Sequence, residues 1–198
     1  MQYEAGARTV VSLDNRLSSR TIWAIICILF GAQAVGAVAV QHLFRMDLRQ
    51  VYFPVCLLLS GCAVSALFRV FAESGRLGRW QWWIPVFLFG FVIFTLSNRS
   101  YPGAMPVFSP KVFHLVEYAT LGLFLCFALL PVGIENRPTV FFSSVLLLGI
   151  LFGAFDELHQ AFTPGRHASI FDVFFWDFPG TAIGLGIFLV IRRLDRDH

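Results

Sequence analysis

The sequence predicts an all-α fold: a polytopic membrane helical bundle of about six transmembrane helices, with both termini in the cytoplasm. Of its 198 residues, 57% are hydrophobic and only 14% are charged. Soluble domains usually contain roughly 45–50% apolar and about 25% charged residues. Long apolar runs recur along the chain and are separated by short segments rich in Gly, Pro and Arg. This pattern is typical of a multi-pass protein of the bilayer.

Six segments are apolar and long enough, or nearly long enough, to cross a membrane as helices. A spanning helix needs about 20 mostly apolar residues. The six predicted spans are residues 22–44, 51–71, 82–96, 112–132, 139–155 and 170–191. The third and the fifth are short, but both end at polar residues that can extend the helix into the headgroup layer. Because the first run is longer than the apolar core of a signal peptide, and further spans follow it, we predict an uncleaved helix.

The distribution of Lys and Arg predicts the orientation of the bundle. Alternate connecting segments carry ten basic residues on one face and five on the other. The first face has Arg8, Arg16, Arg20, Arg69, Arg76, Arg79, Arg137, Arg192, Arg193 and Arg196, and the second has Arg45, Arg49, Arg99, Lys111 and Arg166. Cytoplasmic segments carry the excess of Lys and Arg, so the first face is predicted to be cytoplasmic.

Charge and cysteine content exclude several classes of function. The net charge of +3 is spread over short segments, which argues against a nucleic-acid partner. The four cysteines lie inside apolar runs without CxxC or metal-ligand spacing, and we interpret them as small hydrophobic side chains. They are Cys27, Cys56, Cys62 and Cys126. We predict no cofactor and no metal, and membrane lipids as the general partners.

Polar residues able to do chemistry concentrate in the second half of the chain, near one predicted face. Successive residues of an α-helix turn by about 100°, so four polar residues on the fourth helix share one face, as do four at the end of the fifth. They are Lys111, His114, Glu117 and Tyr118 on the fourth helix, and Asp156, His159, Gln160 and Thr163 on the fifth. Gly149 and Gly153 continue the second stripe, which predicts that the polar face is also the close-packing face.

Two aspartates lie inside the sixth apolar run. A charged carboxylate at the bilayer centre costs roughly 2.5–3.5 kcal/mol on insertion scales, so each needs a partner, water or a proton. Asp172 is expected to pair with Arg166, six residues upstream. Asp177 falls on the same helical face as Gly180 and Gly184, so it is expected to point into the bundle.

Two motifs in these segments resemble the VanZ-like family. One is Asp156-Glu157-x-x-Gln160-x-Phe162-x-Pro164-Gly165-Arg166, followed by Ser169, Asp172 and a Gly-rich helix, and the other is Lys111-x-x-His114-x-x-x-Tyr118-x-x-x-Gly122. The resemblance covers roughly residues 86–190. It divides the chain into two N-terminal helices outside the resemblance, residues 1–80, and a four-helix VanZ-like domain, residues 81–198. In one departure, Asp177 stands where the family usually has Asn.

The resemblance implies a multi-pass protein of the bacterial cytoplasmic (inner) membrane, in a family linked to resistance against the glycopeptide teicoplanin. It implies no established reaction. The positions that it carries over to this chain are Lys111, His114, Tyr118, Asp156, Glu157, Gln160, Arg166 and Asp172.

Three interpretations of the polar residues remain open. In the preferred one they form an extracytoplasmic pocket for an anionic lipid, a lipid-linked cell-wall intermediate or a glycopeptide-type antibiotic, with Arg99, Lys111 and Arg166 holding phosphate or carboxylate. In the second they form a membrane-embedded enzyme, which uses the Asp, Glu and His side chains as metal ligands or as acid and base. In the third they only hold the bundle together. The candidate ligand-binding residues are Arg99, Lys111, His114, Glu117, Tyr118, Asp156, Glu157, His159, Gln160, Arg166, Asp172 and Asp177.

Overall fold

A computed structural model of the chain describes residues 17–43, 48–72, 78–98 and 111–196. Within these ranges the regular structure is entirely helical, and six helices are long and apolar enough to cross a membrane. The predicted bundle of six transmembrane helices is therefore confirmed. The direction in which the helices cross the bilayer, and hence the side of the termini, stays a prediction.

The helices follow the predicted spans closely. We number them α1 (Ser19–Leu43), α2 (Leu48–Phe71), α3 (Ile84–Ser97), α4 (Lys111–Leu129), α5 (Pro138–Ala161) and α6 (Phe178–Arg196). A 3-10 turn, Arg79–Trp83, leads into α3 and completes a 19-residue span. A helical turn, Ile170–Asp172, and a π-helical turn, Val173–Asp177, lead into α6.

Local sequence explains where two of the helices begin. The Ser18 side-chain oxygen accepts the backbone N–H of Thr21 at 3.0 Å, which satisfies one of the free donors at the start of α1. Pro138 is the first residue of α5, where its missing N–H costs no helical hydrogen bond. At its other end α5 continues six residues beyond the predicted limit at 155. Three polar residues near this end, Asp156, Glu157 and Gln160, are buried.

Aromatic side chains join the N-terminal helices to the rest of the bundle in one core. Trp23 of α1 is fully buried and packs against Phe68 of α2 and Trp82, with ring centroids 4.8 and 5.1 Å apart. Two helical turns further along α1, Phe30 packs against Phe89 of α3 and Phe124 of α4. The first two helices are therefore part of the same packed unit.

Glycines let α4 and α6 approach with their backbones almost in contact. A Cβ atom at Gly122 would lie 2.6 Å from the Thr181 carbonyl oxygen, and one at Gly180 would lie 2.7 Å from the Leu115 carbonyl oxygen. On α5, Gly149 is buried against Thr181. This confirms that the small residues mark the close-packing faces.

Candidate functional site

Four elements bring polar side chains together at one end of the bundle: the end of α3, the start of α4, the end of α5 and the π-helical turn. The Ser97 hydroxyl at the end of α3 donates to Asp156 Oδ2 at 2.9 Å. Both residues are only 4% exposed. A buried hydrogen bond to a carboxylate links α3 to α5 at this depth.

The Gln160 side chain hydrogen-bonds to three other polar side chains of this region. Its side-chain nitrogen donates to Asp156 Oδ2 at 2.9 Å and to Glu157 Oε1 at 3.2 Å. Its Oε1 accepts from Arg166 Nε at 3.2 Å and from Arg166 Nη2 at 2.6 Å. Spacings of three and four residues on α5 put the three side chains on one helical face. One amide therefore connects two buried carboxylates to a guanidinium.

The loop after α5 folds back over the helix end. Glu157 Oε2 accepts the backbone N–H of Ser169 at 2.6 Å, which holds the end of the loop against α5. Gly165 has φ of 79°, a left-handed conformation that favours glycine, in the turn that precedes Arg166. The Pro164-Gly165-Arg166 motif thus returns the guanidinium to the polar side chains of α5.

His114 and Asp177 join α4 to the π-helical turn. His114 Nδ1 and Asp177 Oδ1 are 3.1 Å apart, and their side chains are 14% and 0% exposed. Asp177 points into the bundle, as predicted from its position on the same helical face as Gly180 and Gly184. The π-helical turn ends just before Pro179, whose ring removes an N–H from the helical ladder. A Cβ atom at Gly153 would lie 2.7 Å from Asp177 Oδ2, so glycine makes room for this carboxylate.

We call these side chains the polar cluster; it consists of Ser97, His114, Asp156, Glu157, Gln160, Arg166 and Asp177. Two carboxylate oxygens in it, Asp156 Oδ1 and Asp177 Oδ2, are buried and have no hydrogen-bond partner among the described residues. Tyr118, one turn after His114 on α4, is fully buried. Its hydroxyl also has no hydrogen-bond partner among the described residues. Its ring lies parallel to that of His114, with centroids 6.2 Å apart.

A cavity of about 270 Å³ opens beside the polar cluster. Among the described residues, its polar lining is formed mainly by Ser97, His114, Glu117 and Arg166. The remaining walls are mostly apolar and come from α1, α2, α3 and α4. They include Ala37, Val40, Val51, Pro54, Leu58, Phe89, Val92, Leu96 and Phe113. The cavity is therefore amphipathic, with its charged groups gathered at the end formed by the polar cluster.

Two of the other predicted polar residues, His159 and Thr163, contact the end of α3 instead of joining the polar cluster. His159 turns toward α3, where its Nε2 lies 3.1 Å from Asn98 Oδ1 and its ring stacks on Phe94 at 3.8 Å. Thr163, predicted on the same face as Asp156 and Gln160, also contacts Asn98 Oδ1, at 3.4 Å. Asp172 is half-buried at the start of the sixth span.

Two predicted basic residues lie at or beyond the limits of the described chain. Arg99 lies outside the described residues, and Lys111 begins α4 but its side chain is not among those described. Their place in the site stays a prediction.

The part played by α1 and α2 was missed by the sequence reasoning, which assigned no role to these helices. Gln33 of α1 lines the cavity, and its side-chain nitrogen donates to the Thr120 hydroxyl of α4 at 2.8 Å. The signal was present, because Gln33 is an amide inside a long apolar run. A polar side chain at such a position usually faces another helix.

Six apolar helices with a buried polar cluster at one end define an integral, multi-pass membrane protein. The VanZ/LLP1 family model matches residues 21–192, which is most of the chain. The chain therefore belongs to the VanZ/LLP1 family. The matched range includes α1 and α2, which the resemblance of the motifs had left outside. Comparisons with curated proteins and with solved structures find no significant match.

Proposed function

We propose that this VanZ/LLP1 protein binds a phosphate-bearing envelope lipid in the amphipathic cavity, at the extracytoplasmic face of the bacterial inner membrane. The observation that carries the proposal is the division of the cavity into a charged end and an apolar wall. A lipid has the same division between its head group and its chain. The excess of Lys and Arg on the opposite face supports the extracytoplasmic placement.

One basic side chain at the charged end, Arg166, suits a phosphate head group. The Arg166 guanidinium lines this end, and guanidinium groups bind phosphate through paired, charge-assisted hydrogen bonds. Glu117 and His114 line the same end and can contact the hydroxyl or amino groups that phospholipid and cell-wall precursor head groups carry. Arg99 and Lys111 are the further basic groups that the sequence predicts near this end.

The size of the cavity suits the upper part of one lipid. Sites for drug-sized ligands usually measure roughly 300–1,000 Å³. At about 270 Å³, the cavity has room for a head group and the first part of its chain. Lipid-linked cell-wall intermediates share this phosphate chemistry, and a role in resistance to teicoplanin-type antibiotics is consistent with the family.

The test is co-purification of lipid with the full-length protein from bacterial membranes in a mild detergent. We expect mass spectrometry to find bound phospholipid or lipid-linked precursor on the wild type, and about tenfold less on Arg166→Ala. The reason is that hydrogen bonds to charged groups contribute about 1.5–3 kcal/mol, and 1.4 kcal/mol is about tenfold in affinity.

Arg193→Ala is the matched control, because Arg193 is an exposed basic residue of α6 that does not line the cavity. It should retain the lipid of the wild type. Equal amounts of anionic lipid on wild type, Arg166→Ala and Arg193→Ala would contradict the proposal.

A further inference from the structure

We infer that the polar cluster is a binding site for one divalent metal ion, with His114, Glu157 and Asp177 as its protein ligands. One ligand atom of each of these residues lies within 4.8 Å of the ligand atoms of the other two. The three residues come from three separate elements: α4, α5 and the π-helical turn. The packing of the bundle alone therefore brings them together.

The donor set matches a first-row divalent metal such as Zn²⁺ or Mn²⁺. One imidazole nitrogen with two carboxylate oxygens is a common set of three protein ligands for such ions. Two ligands at about 2.1 Å from a tetrahedral ion lie about 3.4 Å apart. His114 Nδ1 and Asp177 Oδ1 are 3.1 Å apart, the distance of a hydrogen bond, so an ion between them would replace that contact and move the two atoms slightly apart. A ligand oxygen of Glu157 lies within 4.8 Å of both of these residues' ligand atoms.

The charge of the polar cluster favours a cation. Asp156, Glu157 and Asp177 are buried within it, whereas its cationic side chains are Arg166 and, when protonated, His114. Burying carboxylates without compensating positive charge is costly, and a divalent ion supplies two charges at once.

Two unpartnered oxygens provide an independent observation. Asp177 is fully buried, and its Oδ2 has no hydrogen-bond partner among the described residues, although Oδ1 lies beside His114. Asp156 is 4% exposed, and its Oδ1 is likewise without a partner in the described part of the chain. A buried carboxylate oxygen without a donor is unusual, and an ion bound by Asp177 would satisfy its Oδ2, whereas Asp156 is not one of the three ligands.

The surroundings of Glu157 resemble the support that metal ligands usually have. Gln160 donates to its Oε1 and the Ser169 N–H donates to its Oε2. Each carboxylate oxygen has two lone pairs, so both oxygens can still bind an ion. Hydrogen bonds of this kind fix the direction of a ligand. The sequence analysis predicted no metal in its preferred interpretation and kept metal ligands only as an alternative; the set of His114, Glu157 and Asp177 spans 64 positions, from 114 to 177, and forms no contiguous motif.

The first measurement is the metal content of the full-length wild type in detergent. The protein is stripped with EDTA, incubated with Zn²⁺ or Mn²⁺ and freed of excess ion. We expect about one ion per chain by elemental mass spectrometry, and a saturable heat signal in calorimetric titration. If neither Zn²⁺ nor Mn²⁺ is retained, the inference is wrong.

The second measurement compares His114→Gln and Glu157→Gln with His42→Gln. His42 is an exposed imidazole at the end of α1, so its replacement reports on adventitious binding. We expect at least about tenfold weaker metal binding in the first two variants and no change in the control. Metal binding in His114→Gln and Glu157→Gln as strong as in the wild type, or an equal loss in His42→Gln, would overturn the assignment.

A spectroscopic measurement covers the case in which the variants fail to fold. X-ray absorption at the Zn edge of the wild type should show nitrogen and oxygen neighbours together with the outer-shell scattering of one imidazole. Sulfur neighbours, or no imidazole scattering, would also contradict the site. All three measurements report on the bound metal and none on lipid, so the failure of this inference and the failure of the proposed lipid site are distinguishable.

Discussion

At the scale of single residues, the polar cluster depends on side chains with both donors and acceptors. Gln160 can face two carboxylates with its NH₂ group and a guanidinium with its carbonyl oxygen, and neither Glu nor Lys can do both. Ser97 adds a donor from a different helix. Partners of this kind are needed wherever a carboxylate is removed from water.

Ser97→Ala is expected to destabilise the protein by about 1–3 kcal/mol. The substitution removes a donor from the buried Asp156 carboxylate, and hydrogen bonds to charged groups contribute about 1.5–3 kcal/mol. The measurement is thermal unfolding of the purified protein in detergent. Ser143→Ala is the control, because the Ser143 hydroxyl is exposed and bonds only to the carbonyl oxygen of Val140 on its own helix. Equal stability of the two variants would mean that the Ser97 contact is not formed.

At the scale of helices, the sequence predicted most of the fold because length and hydrophobicity decide which segments span a bilayer. The apolar span of the fifth helix was predicted to end at 155, with polar residues able to extend it, and α5 does continue to Ala161. The π-helical turn before Pro179 was not predicted. Hydropathy identifies the apolar span but does not report which form of helix it adopts.

Gly184→Ala is expected to separate α4 from α6, whereas Gly186→Ala on the same helix should be tolerated. A Cβ atom at Gly184 would meet the Ala119 carbonyl oxygen and lie 2.7 Å from the Leu123 backbone nitrogen, and backbone atoms cannot move aside cheaply. At Gly186 the added atom would meet nothing within 4 Å.

Overpacking of this kind usually costs about 1–3 kcal/mol, whereas replacing Gly by Ala inside a helix stabilises it by up to about 1 kcal/mol. Unfolding in detergent measures both variants. A Gly184→Ala protein as stable as Gly186→Ala would contradict the packing of α4 against α6.

At the scale of the whole molecule, the sequence placed the acids and bases near one end of the bundle but not their partners. Which side chains meet across helices depends on the rotation of each helix about its axis. Sequence reasoning therefore could not predict that Asp177 contacts His114, or that His159 contacts Asn98. The sequence predicted a polar pocket but not the apolar wall of the cavity, since that wall is assembled from four helices, two of them without a motif.

The proposed lipid site therefore makes a prediction about α1, far from any motif. Gly36 lines the cavity, and a Cβ atom there would meet nothing within 4 Å. Gly36→Leu should project a side chain into the space proposed for the lipid without disturbing the helices. We expect bound lipid to fall severalfold, with thermal stability close to that of the wild type.

Gly186→Leu is the matched control, since Gly186 has the same open surroundings on α6 but does not line the cavity. It should retain the lipid of the wild type. If lipid content is the same in both variants, the lipid that co-purifies occupies some other surface, and the charged end of the cavity must be explained by the metal site or by bundle assembly alone. If only Gly36→Leu loses lipid, α1 and α2 are part of the binding site, which agrees with a family match that begins at residue 21.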